Sequence, residues 1–525
     1  MEQKYKYITT LAAVLLGAVI LDLPHFHNGF PFLLGDSQGY IIRAMTSSES
    51  NHWSNTYTLI VRWCITGFQT IQVIPFLQSL LISSLMYLIV RRLFSRYQLV
   101  LFLGIIIGLL FTTLPWTSVM LMSDIFTPAS LLIIYLIVNY EMKWTTLIPL
   151  GLIYFFASSC HQSNLAILPL FLIVAVIGNL LLVKNKSKLN LLITAGGLIG
   201  LLAMSFALEK VTLKSSPSVN KIKQKPTLGP KQKEAKKKQV VKTKRVKQWK
   251  RKNKATLNQP VKTSGATGFY FVIVRLWEVG ELDNLLESYC DGNPSNYLCD
   301  PNNPYEIKVH LPGVHERNSK NQDYKLYVAD NRAFVMAILS KPRLYYACIK
   351  ALLKRSPVLL QQTQIRDFIP IKNGGIKNGL NTEPINDSRA YGLARQFNGY
   401  YSSDLVRTYT IVDRLWWWWL APLILVGLII YSISKRSLLW ISRERWNLLL
   451  MLVLGHLINI VICGTFSNHL NSRYSMRTLW LVNLAVILVL IFFFEYRKSQ
   501  QTLEVRPNNQ PSNLPSSEPM QPDRA

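Results

Sequence analysis

The chain has 525 residues, of which 50% are hydrophobic and only 16% are charged. A soluble chain is expected to carry about 25% charged residues, so this composition excludes an ordinary soluble protein and indicates one with many membrane spans. Six cysteines are too few for a disulfide scaffold.

The net charge of +30 is concentrated in one segment of the chain. Between Lys210 and Lys254 there are 16 Lys and 2 Arg against one acidic residue, Glu234, a local surplus of 17 positive charges. Because the charge is local, it does not indicate that the whole chain binds nucleic acid, and we expect no nucleic-acid partner. The segment is interpreted as a solvated spacer, with binding to an anionic surface such as lipid headgroups as the alternative.

The predicted spans begin with the apolar segment 8–21. We interpret it as a retained span rather than a signal peptide, because no small-x-small cleavage site follows it. Nine further apolar runs of suitable composition lie at 73–90, 98–114, 124–138, 145–159, 164–183, 189–208, 416–433, 446–464 and 477–494. The sequence therefore predicts an all-α polytopic membrane protein with about ten transmembrane helices.

Cations flank these spans unevenly, which predicts their orientation. One set of alternate connections holds Lys4, Lys6, Arg91, Arg92, Arg96, Lys143, Lys184, Lys186, Lys188, Lys435, Arg436, Arg443, Arg445, Arg497 and Lys498. Short loops rich in Lys and Arg remain in the cytoplasm, so both termini are predicted to be cytoplasmic. The long segment 209–415 then faces outward.

Composition divides the chain into five parts. A first transmembrane part with an outward first loop (22–72) covers 1–208, and a Lys-rich disordered outward spacer follows at 209–265. A small, mostly helical extracytoplasmic domain covers 266–415. A second transmembrane part lies at 416–498, and a disordered cytoplasmic tail lies at 499–525. The run of four tryptophans at 416–419 opens the eighth predicted span, where aromatic residues anchor at headgroup level.

Cys290 and Cys299 lie nine residues apart in the outward domain. An oxidising compartment favours a local disulfide between them. A metal site is the less favoured interpretation, because no His or second Cys pair stands at ligand spacing.

Four polar clusters recur at the predicted outward ends of spans. Their titratable members are two acids, two histidines and four arginines, namely Asp36, Asp124, His52, His161, Arg43, Arg62, Arg473 and Arg477. The segment from Asp36 to about residue 45 is also expected to form a short helix along the bilayer surface. Each group alone has a structural explanation, since an acid can cap a helix and an arginine can reach lipid phosphates.

Taken together, these residues suggest a chemistry. Arginine binds phosphate oxygens bidentately, and a carboxylate can remove a proton from a hydroxyl that attacks carbon. Sugar transfer from a lipid phosphate requires both groups, together with a hydrophobic groove for the lipid. The hypothesis requires that these residues, which are far apart in the sequence, meet in one pocket.

A resemblance supports this hypothesis. The Gly-Asp-Ser-x-x-Tyr segment at 35–40 resembles the first outer loop of the GT-C superfamily of polytopic glycosyltransferases. Leu-Pro-Trp…Leu-Met-Ser-Asp-Ile-Phe (114–126), Val-Arg-Leu-Trp-Glu-Val-Gly (274–280) with its later cysteines, and Ser-Arg-Tyr-Ser-Met-Arg (472–477) resemble a group of bacterial GT-C-like membrane proteins. That group more often has Pro at position 123 and Gln at position 475.

The resemblance implies a bacterial inner-membrane enzyme with a polyprenyl-phosphate-linked sugar as donor, working in contact with membrane lipid on an unknown acceptor at the outer face. It implies Asp36 as base or acceptor-orienting carboxylate and Asp124 as a second acid or metal ligand. Arg473 and Arg477 would lie near the donor phosphate, and Arg43, His52, Arg62 and His161 are further candidates for substrate binding. No cofactor is required, although a divalent cation is possible if Asp36 and Asp124 converge.

Two other classes of function remain open from the sequence. A transporter or flippase for a lipid-linked saccharide would use the same charges to hold the carrier phosphate. Such proteins place their binding sites near the middle of the membrane, where His456 and Asn459 are the main polar residues; both are interpreted as bonding neighbouring helices. A non-catalytic envelope assembly protein would instead depend on the Lys-rich segment.

Overall fold

A computed structural model describes most of both predicted transmembrane parts and a portion of the segment between them. The described residues are 2–28, 31–32, 35–46, 54–68, 70–183, 187–211, 272–273, 276–277, 279–293, 296–299, 322–361, 441–466 and 472–504. Within these ranges the chain is nearly all helical and forms no strand; one isolated bridge pairs Phe32 with Met120. The prediction of an all-α fold is confirmed for this part of the chain.

Sixteen α-helices are described. In chain order they are α1 Glu2–Leu21, α2 Leu23–Asn28, α3 Gly35–Thr46, α4 Asn55–Gly67, α5 Val73–Leu93, α6 Gln98–Leu110, α7 Leu114–Ser118, α8 Phe126–Asn139, α9 Trp144–Ser159, α10 Asn164–Gly178, α11 Lys188–Val211, α12 Leu282–Cys290, α13 Gln322–Ile338, α14 Pro342–Gln361, α15 Arg443–Phe466 and α16 Ser472–Glu504. A 3₁₀ turn, Ser123–Ile125, leads into α8, and a π-helical turn, Asn179–Val183, follows α10.

Five described helical segments are long and apolar enough to cross a membrane: Val73–Leu93, Asn164–Val183, Lys188–Ala207, Arg443–Thr465 and Arg473–Lys498. Four shorter apolar helices accompany them, at Tyr7–Leu21, Gln98–Leu110, Ser123–Asn139 and Trp144–Ser159. The chain is therefore a membrane protein with several spans. The predicted span at 416–433, its tryptophan run and nearly all of the predicted Lys-rich spacer lie outside the described residues.

Helix α8 lies at the centre of the bundle. Every residue of this helix is buried, and it contacts α5, α9, α10, α11, α15 and α16. The surrounding helices keep many large apolar side chains exposed, as expected where lipid rather than water surrounds a protein. Helix α8 is consequently packed on all sides by other helices of the bundle.

The connection predicted as the outward loop 22–72 contains three helices, α2, α3 and α4. Helix α3 matches the short helix expected after Asp36, and it packs against α4. Burial explains why these segments are ordered as helices: Tyr40 and Tyr57 are 5% and 0% exposed and pack edge to face, with ring centroids 4.7 Å apart.

Several helix boundaries differ from the predicted apolar runs, and α1 already begins at Glu2 rather than at residue 8. The sixth helix ends at Leu110 rather than 114, because Pro115 starts the separate short helix α7. The last helix runs from Ser472 to Glu504, so it begins before the span predicted at 477–494 and continues into the predicted cytoplasmic tail.

A second apolar cluster is separate from the core of the bundle. It joins α12, α13 and α14 through buried side chains that include Leu285, Phe334 and Ala347. A disulfide links Cys290 to Cys299, the pair that the sequence analysis favoured. Helix α14 also packs against α15, so this cluster is attached to the bundle.

Three asparagines, each 0% exposed, connect helices at the end of the bundle where α8 and α10 finish and α15 begins. Asn139 Oδ1 accepts a hydrogen bond from Asn447 Nδ2 at 2.8 Å and from Asn179 Nδ2 at 3.2 Å. Asn139 Nδ2 donates to the carbonyl of Tyr135 at 3.0 Å, which fixes the orientation of the shared amide. Such bonds tie helices together where lipid offers no alternative partner.

Candidate functional site

The polar residues singled out in the sequence converge at one end of the bundle, where α9 and α15 finish and α8, α10 and α16 begin. We call this the site end. Asp36 lies in the first turn of α3, and Asp124 lies in the 3₁₀ turn before α8. His161 lies in the turn between α9 and α10, and Arg473 and Arg477 lie one turn apart in the first turns of α16.

Asp36 and Arg473 form one ion pair of the site, in which Arg473 Nη1 donates to Asp36 Oδ2. The two residues are 437 positions apart in the sequence. The Asp36 side chain is 39% exposed and that of Arg473 is 13% exposed. This pair is thus the more accessible of the two acid–arginine pairs of the site.

Arg477 is the buried centre of the cluster, with a side chain that is 0% exposed. Its Nη1 donates to Asp124 Oδ1 at 3.3 Å and to His161 Nε2 at 3.0 Å. Its Nε donates to Asn459 Oδ1 at 2.8 Å, and its Nη2 reaches Ser163 Oγ and Cys463 Sγ, each at 3.0 Å. All three guanidinium nitrogens are therefore engaged within the protein.

Asp124 has one occupied and one free carboxylate oxygen. Oδ1 accepts from Arg477, and the side chain is 2% exposed. Oδ2 is buried and has no hydrogen-bond partner among the described residues. A buried acceptor without a partner is costly, so this oxygen is suited to receive a donor from a hydroxyl or water that enters the site.

His161 is held by contacts at both ring nitrogens. Its Nε2 lies 3.0 Å from Arg477 Nη1, and its Nδ1 lies 3.2 Å from Ser163 N and 2.7 Å from Ser163 Oγ. Burial lowers the pKa of His161 well below its usual value, and the charges of Arg477 and Arg473 lower it further, while Asp36 acts in the opposite direction. With a neutral imidazole, the two acids and two arginines balance in charge.

The backbone around Asp124 is fixed from several directions. Phe32 N donates to the carbonyl of Val119 at 3.2 Å, and Leu121 N donates to that of Phe32 at 2.9 Å. Gln78 Nε2 donates to the carbonyls of Ser118 and Met120 at 2.7 and 2.8 Å. These contacts hold the segment before α8 in place.

The two positions at which the chain departs from the motifs of the GT-C-like group are both ordered. Ser123 Oγ hydrogen-bonds to the hydroxyl of Tyr40 at 3.1 Å, which joins α3 to the start of α8. Ser475 is fully buried in α16 between the two arginines of the site.

Three of the predicted binding residues do not join the cluster's described contacts. Arg43 is 3% exposed, and its Nη2 donates to Asn55 Oδ1 at 2.6 Å, so it links α3 to α4. Arg62 is half-buried on α4. His52 lies outside the described residues.

Asn459 and Cys463 belong to the cluster but were not assigned to it from the sequence. Asn459 was interpreted as a helix–helix contact, and its Nδ2 does bond Thr478 Oγ1 at 2.9 Å. With His456, they form a polar stripe at spacings of three and four along α15. That spacing on an otherwise apolar span is the signal that could have placed them beside Arg477.

A divalent cation does not fit the described site. Asp36 and Asp124 each bind a different arginine. No group of three or more His, Cys, Asp or Glu side chains that could hold a metal ion occurs among the described residues. We therefore derive no step through a metal.

Comparison of this chain with models of known families, with curated proteins and with solved structures found no match.

The protonation of His161 predicts how stability depends on pH. Since its pKa in the folded protein lies below that in the unfolded chain, about 6.5, the unfolded chain binds the extra proton first. The contribution of His161 is present above pH 6.5 and is lost as the pH falls below it. We expect His161→Gln to flatten the decline in thermal stability between about pH 6.5 and 5, measured in detergent.

His27→Gln, which changes an exposed histidine, is the control and should keep the wild-type slope. A His161→Gln variant with an unchanged slope would contradict the assignment of a neutral, buried imidazole.

Proposed function

We propose that this chain is a GT-C-type membrane glycosyltransferase that moves a sugar from a polyprenyl-phosphate carrier to an acceptor at the outer face of a bacterial inner membrane. The proposal includes ten spans, counted from the nine apolar helices of the described residues and the segment 416–433. It also includes two cytoplasmic termini, which put the site end of the bundle outside.

One observation carries the proposal. Two carboxylates and two guanidiniums from three distant parts of the chain meet at a single end of the bundle. Charged groups that are buried among apolar helices are costly unless they are paired or used. Dispersed capping or lipid-anchoring residues would not be expected to meet in this way.

Arg473 is suited to bind the donor phosphate, because it is the less buried of the two arginines and its described acidic partner is half-exposed. Arg477 would have to leave partners on α15, in the 3₁₀ turn before α8 and in the turn between α9 and α10 to do so. We therefore assign Arg473 to the phosphate and Arg477 to the positioning of Asp124 and His161. When the donor phosphate arrives, it would replace Asp36 as the partner of Arg473 and so break the ion pair between these two residues.

Asp36 then acts as the base. As the acceptor oxygen forms a bond to the anomeric carbon, its proton passes to the Asp36 carboxylate. The bond from the anomeric carbon to the phosphate oxygen breaks, and the electron pair leaves with polyprenyl phosphate, whose charge Arg473 stabilises. Attack opposite the leaving group inverts the configuration of the sugar carbon. The free Asp124 Oδ2 can accept a hydrogen bond from the acceptor or from a water beside it.

The transporter alternative receives less support from the described helices. His456 Nδ1 and Asn459 Nδ2 both contact Thr478 Oγ1, at 3.0 and 2.9 Å, so these mid-span polar groups join α15 to α16. Groups that are satisfied by a neighbouring helix do not mark a transport path.

The test is Asp36→Asn, which keeps the shape of the side chain but removes the base. Membranes containing the full chain are incubated with polyprenyl-phosphate-linked hexoses and pentoses, and transfer of labelled sugar to endogenous acceptors is measured. We expect a loss of at least ~100-fold. Asp283→Asn, on an exposed acid of α12, should leave transfer unchanged.

Equal transfer by Asp36→Asn and wild type, at equal protein levels, would exclude this mechanism. Translocation of the lipid-linked sugar without a new glycosidic bond would favour the transporter instead.

A further inference from the structure

Arg355 is a buried cation on α14, the helix that packs both in the second apolar cluster and against α15 of the bundle. It lies on α14, in a stripe of buried residues with Leu344, Ala347 and Ala351, and it is 6% exposed. The first three of these residues pack within the second cluster. Arg355 continues the stripe toward α15, against which α14 packs.

Arg355 reaches the carbonyl end of α15. Its Nη1 donates to the backbone oxygen of Gly464 at 3.2 Å. Gly464 lies in the last turn of α15, where carbonyl groups have no partner within the helix. A cation at this position satisfies one such carbonyl and is attracted by the negative end of the helix dipole.

The carbonyl that Arg355 holds is directly adjacent to the site. Cys463, the preceding residue, contacts Arg477 Nη2 at 3.0 Å, and Asn459 one turn earlier accepts from Arg477 Nε at 2.8 Å. Arg477 in turn binds Asp124 and His161. A shift of the last turn of α15 would therefore be passed to the acid and the imidazole of the site.

We propose that Arg355 is a positioning residue: it caps α15 from the second apolar cluster, and the site is aligned only while α14 is docked there. This inference rests on the proposed function. It makes the segment between the two transmembrane parts a component of the site rather than a separate module. In this proposal Arg355 acts on turnover through α15 and Arg477.

The test compares Arg355→Met, Arg355→Lys and a matched control, Arg332→Met, which changes an exposed arginine of α13. We expect Arg355→Met to lower kcat for sugar transfer roughly tenfold or more, because small misplacements of catalytic groups are costly. The KM for donor and for acceptor should stay unchanged. Arg355→Lys should recover much of the rate, since an ammonium can also donate to a helix carbonyl, and Arg332→Met should match wild type.

Hydrogen exchange of the full chain in nanodiscs gives a second readout that needs no activity. Arg355→Met should speed amide exchange in residues 342–361 and 455–466, and Arg332→Met should not. Unchanged kcat and exchange in Arg355→Met would overturn the proposal, as would a rise in the donor KM alone, which would make Arg355 a phosphate contact. If Arg355→Met does not accumulate, Arg355→Gln is compared with Arg332→Gln by the same two readouts, and wild-type kcat and exchange in Arg355→Gln would overturn the proposal.

The two proposals fail separately. If the wild-type chain transfers no sugar from any donor, the proposed function is wrong, while the exchange data still show whether Arg355 holds the end of α15. If transfer occurs and Asp36→Asn abolishes it, a normal Arg355→Met variant would refute the positioning role alone.

Discussion

Replacing Arg477 with methionine is expected to lower the stability of the protein by about 3–5 kcal/mol, because it leaves the buried carboxylate of Asp124 without its cation. The substitution also removes the described contacts of the guanidinium with His161 and Asn459. Thermal unfolding of the purified protein in detergent measures the effect. Sugar transfer by the folded fraction should be lost as well.

Arg473→Met is the matched comparison, since it removes an arginine from the same helix four residues earlier. Arg473 is less buried and its partner Asp36 is half-exposed, so water can solvate the carboxylate that remains. We expect a clearly smaller loss of stability but an equally severe loss of transfer. If Arg473→Met destabilised the protein as much as Arg477→Met, the division into a binding and a positioning arginine would be wrong.

Gly178→Ala is expected to destabilise the protein by about 2–4 kcal/mol through overpacking and a lost hydrogen bond. A Cβ at this position would lie 2.3 Å from Asn447 Oδ1 and 3.2 Å from Met451 Cε. The methionine can move, but Asn447 is held by its hydrogen bond to Asn139. Helix α10 and α15 must therefore separate, or the asparagine contact must break. Unfolding in detergent is again the measurement.

Gly197→Ala provides the control on another apolar helix. A Cβ there would meet no atom within 4 Å, so the substitution should be neutral or slightly stabilising, because alanine favours helix more than glycine does. Equal melting temperatures for the two variants would show that α10 and α15 are not in the tight contact described.

The membrane helices and the members of the site were largely accessible from the sequence. Apolar runs of sufficient length predict spans, and the ends of those runs contain Asp36, Asp124, His161, Arg473 and Arg477. In the structure these five residues do lie together, at the site end of the bundle.

The pairing within the site could not be predicted. Arg473 and Arg477 lie on one face of one helix, yet the first binds Asp36 and the second binds Asp124, 353 residues away in the sequence. Such a choice depends on how α3, α8 and α16 pack together, which local residue patterns do not specify. The role of Arg355 depends on tertiary packing in the same way.

The sequence also predicted too little helix in the connection 22–72 between α1 and α5. Segments of mixed polarity such as α3 and α4 have no span-like hydropathy, so the sequence indicated one short helix and otherwise a loop. The ring of Tyr40 packs on Tyr57, and Ser54 Oγ caps α4 by accepting from Tyr57 N at 3.1 Å. Tertiary burial and the cap together order this region.

Both arginines of the site lie in α16, whereas the carboxylates they neutralise lie within the first quarter of the chain. During synthesis, Asp124 must consequently enter the bilayer hundreds of residues before its counter-charge leaves the ribosome. Until then the aspartate would have to remain hydrated, protonated or shielded by the insertion machinery. A ribosome stalled before residue 472 would thus leave an inserted intermediate that lacks both arginines, so the charge cluster would form only at the last stage of biogenesis.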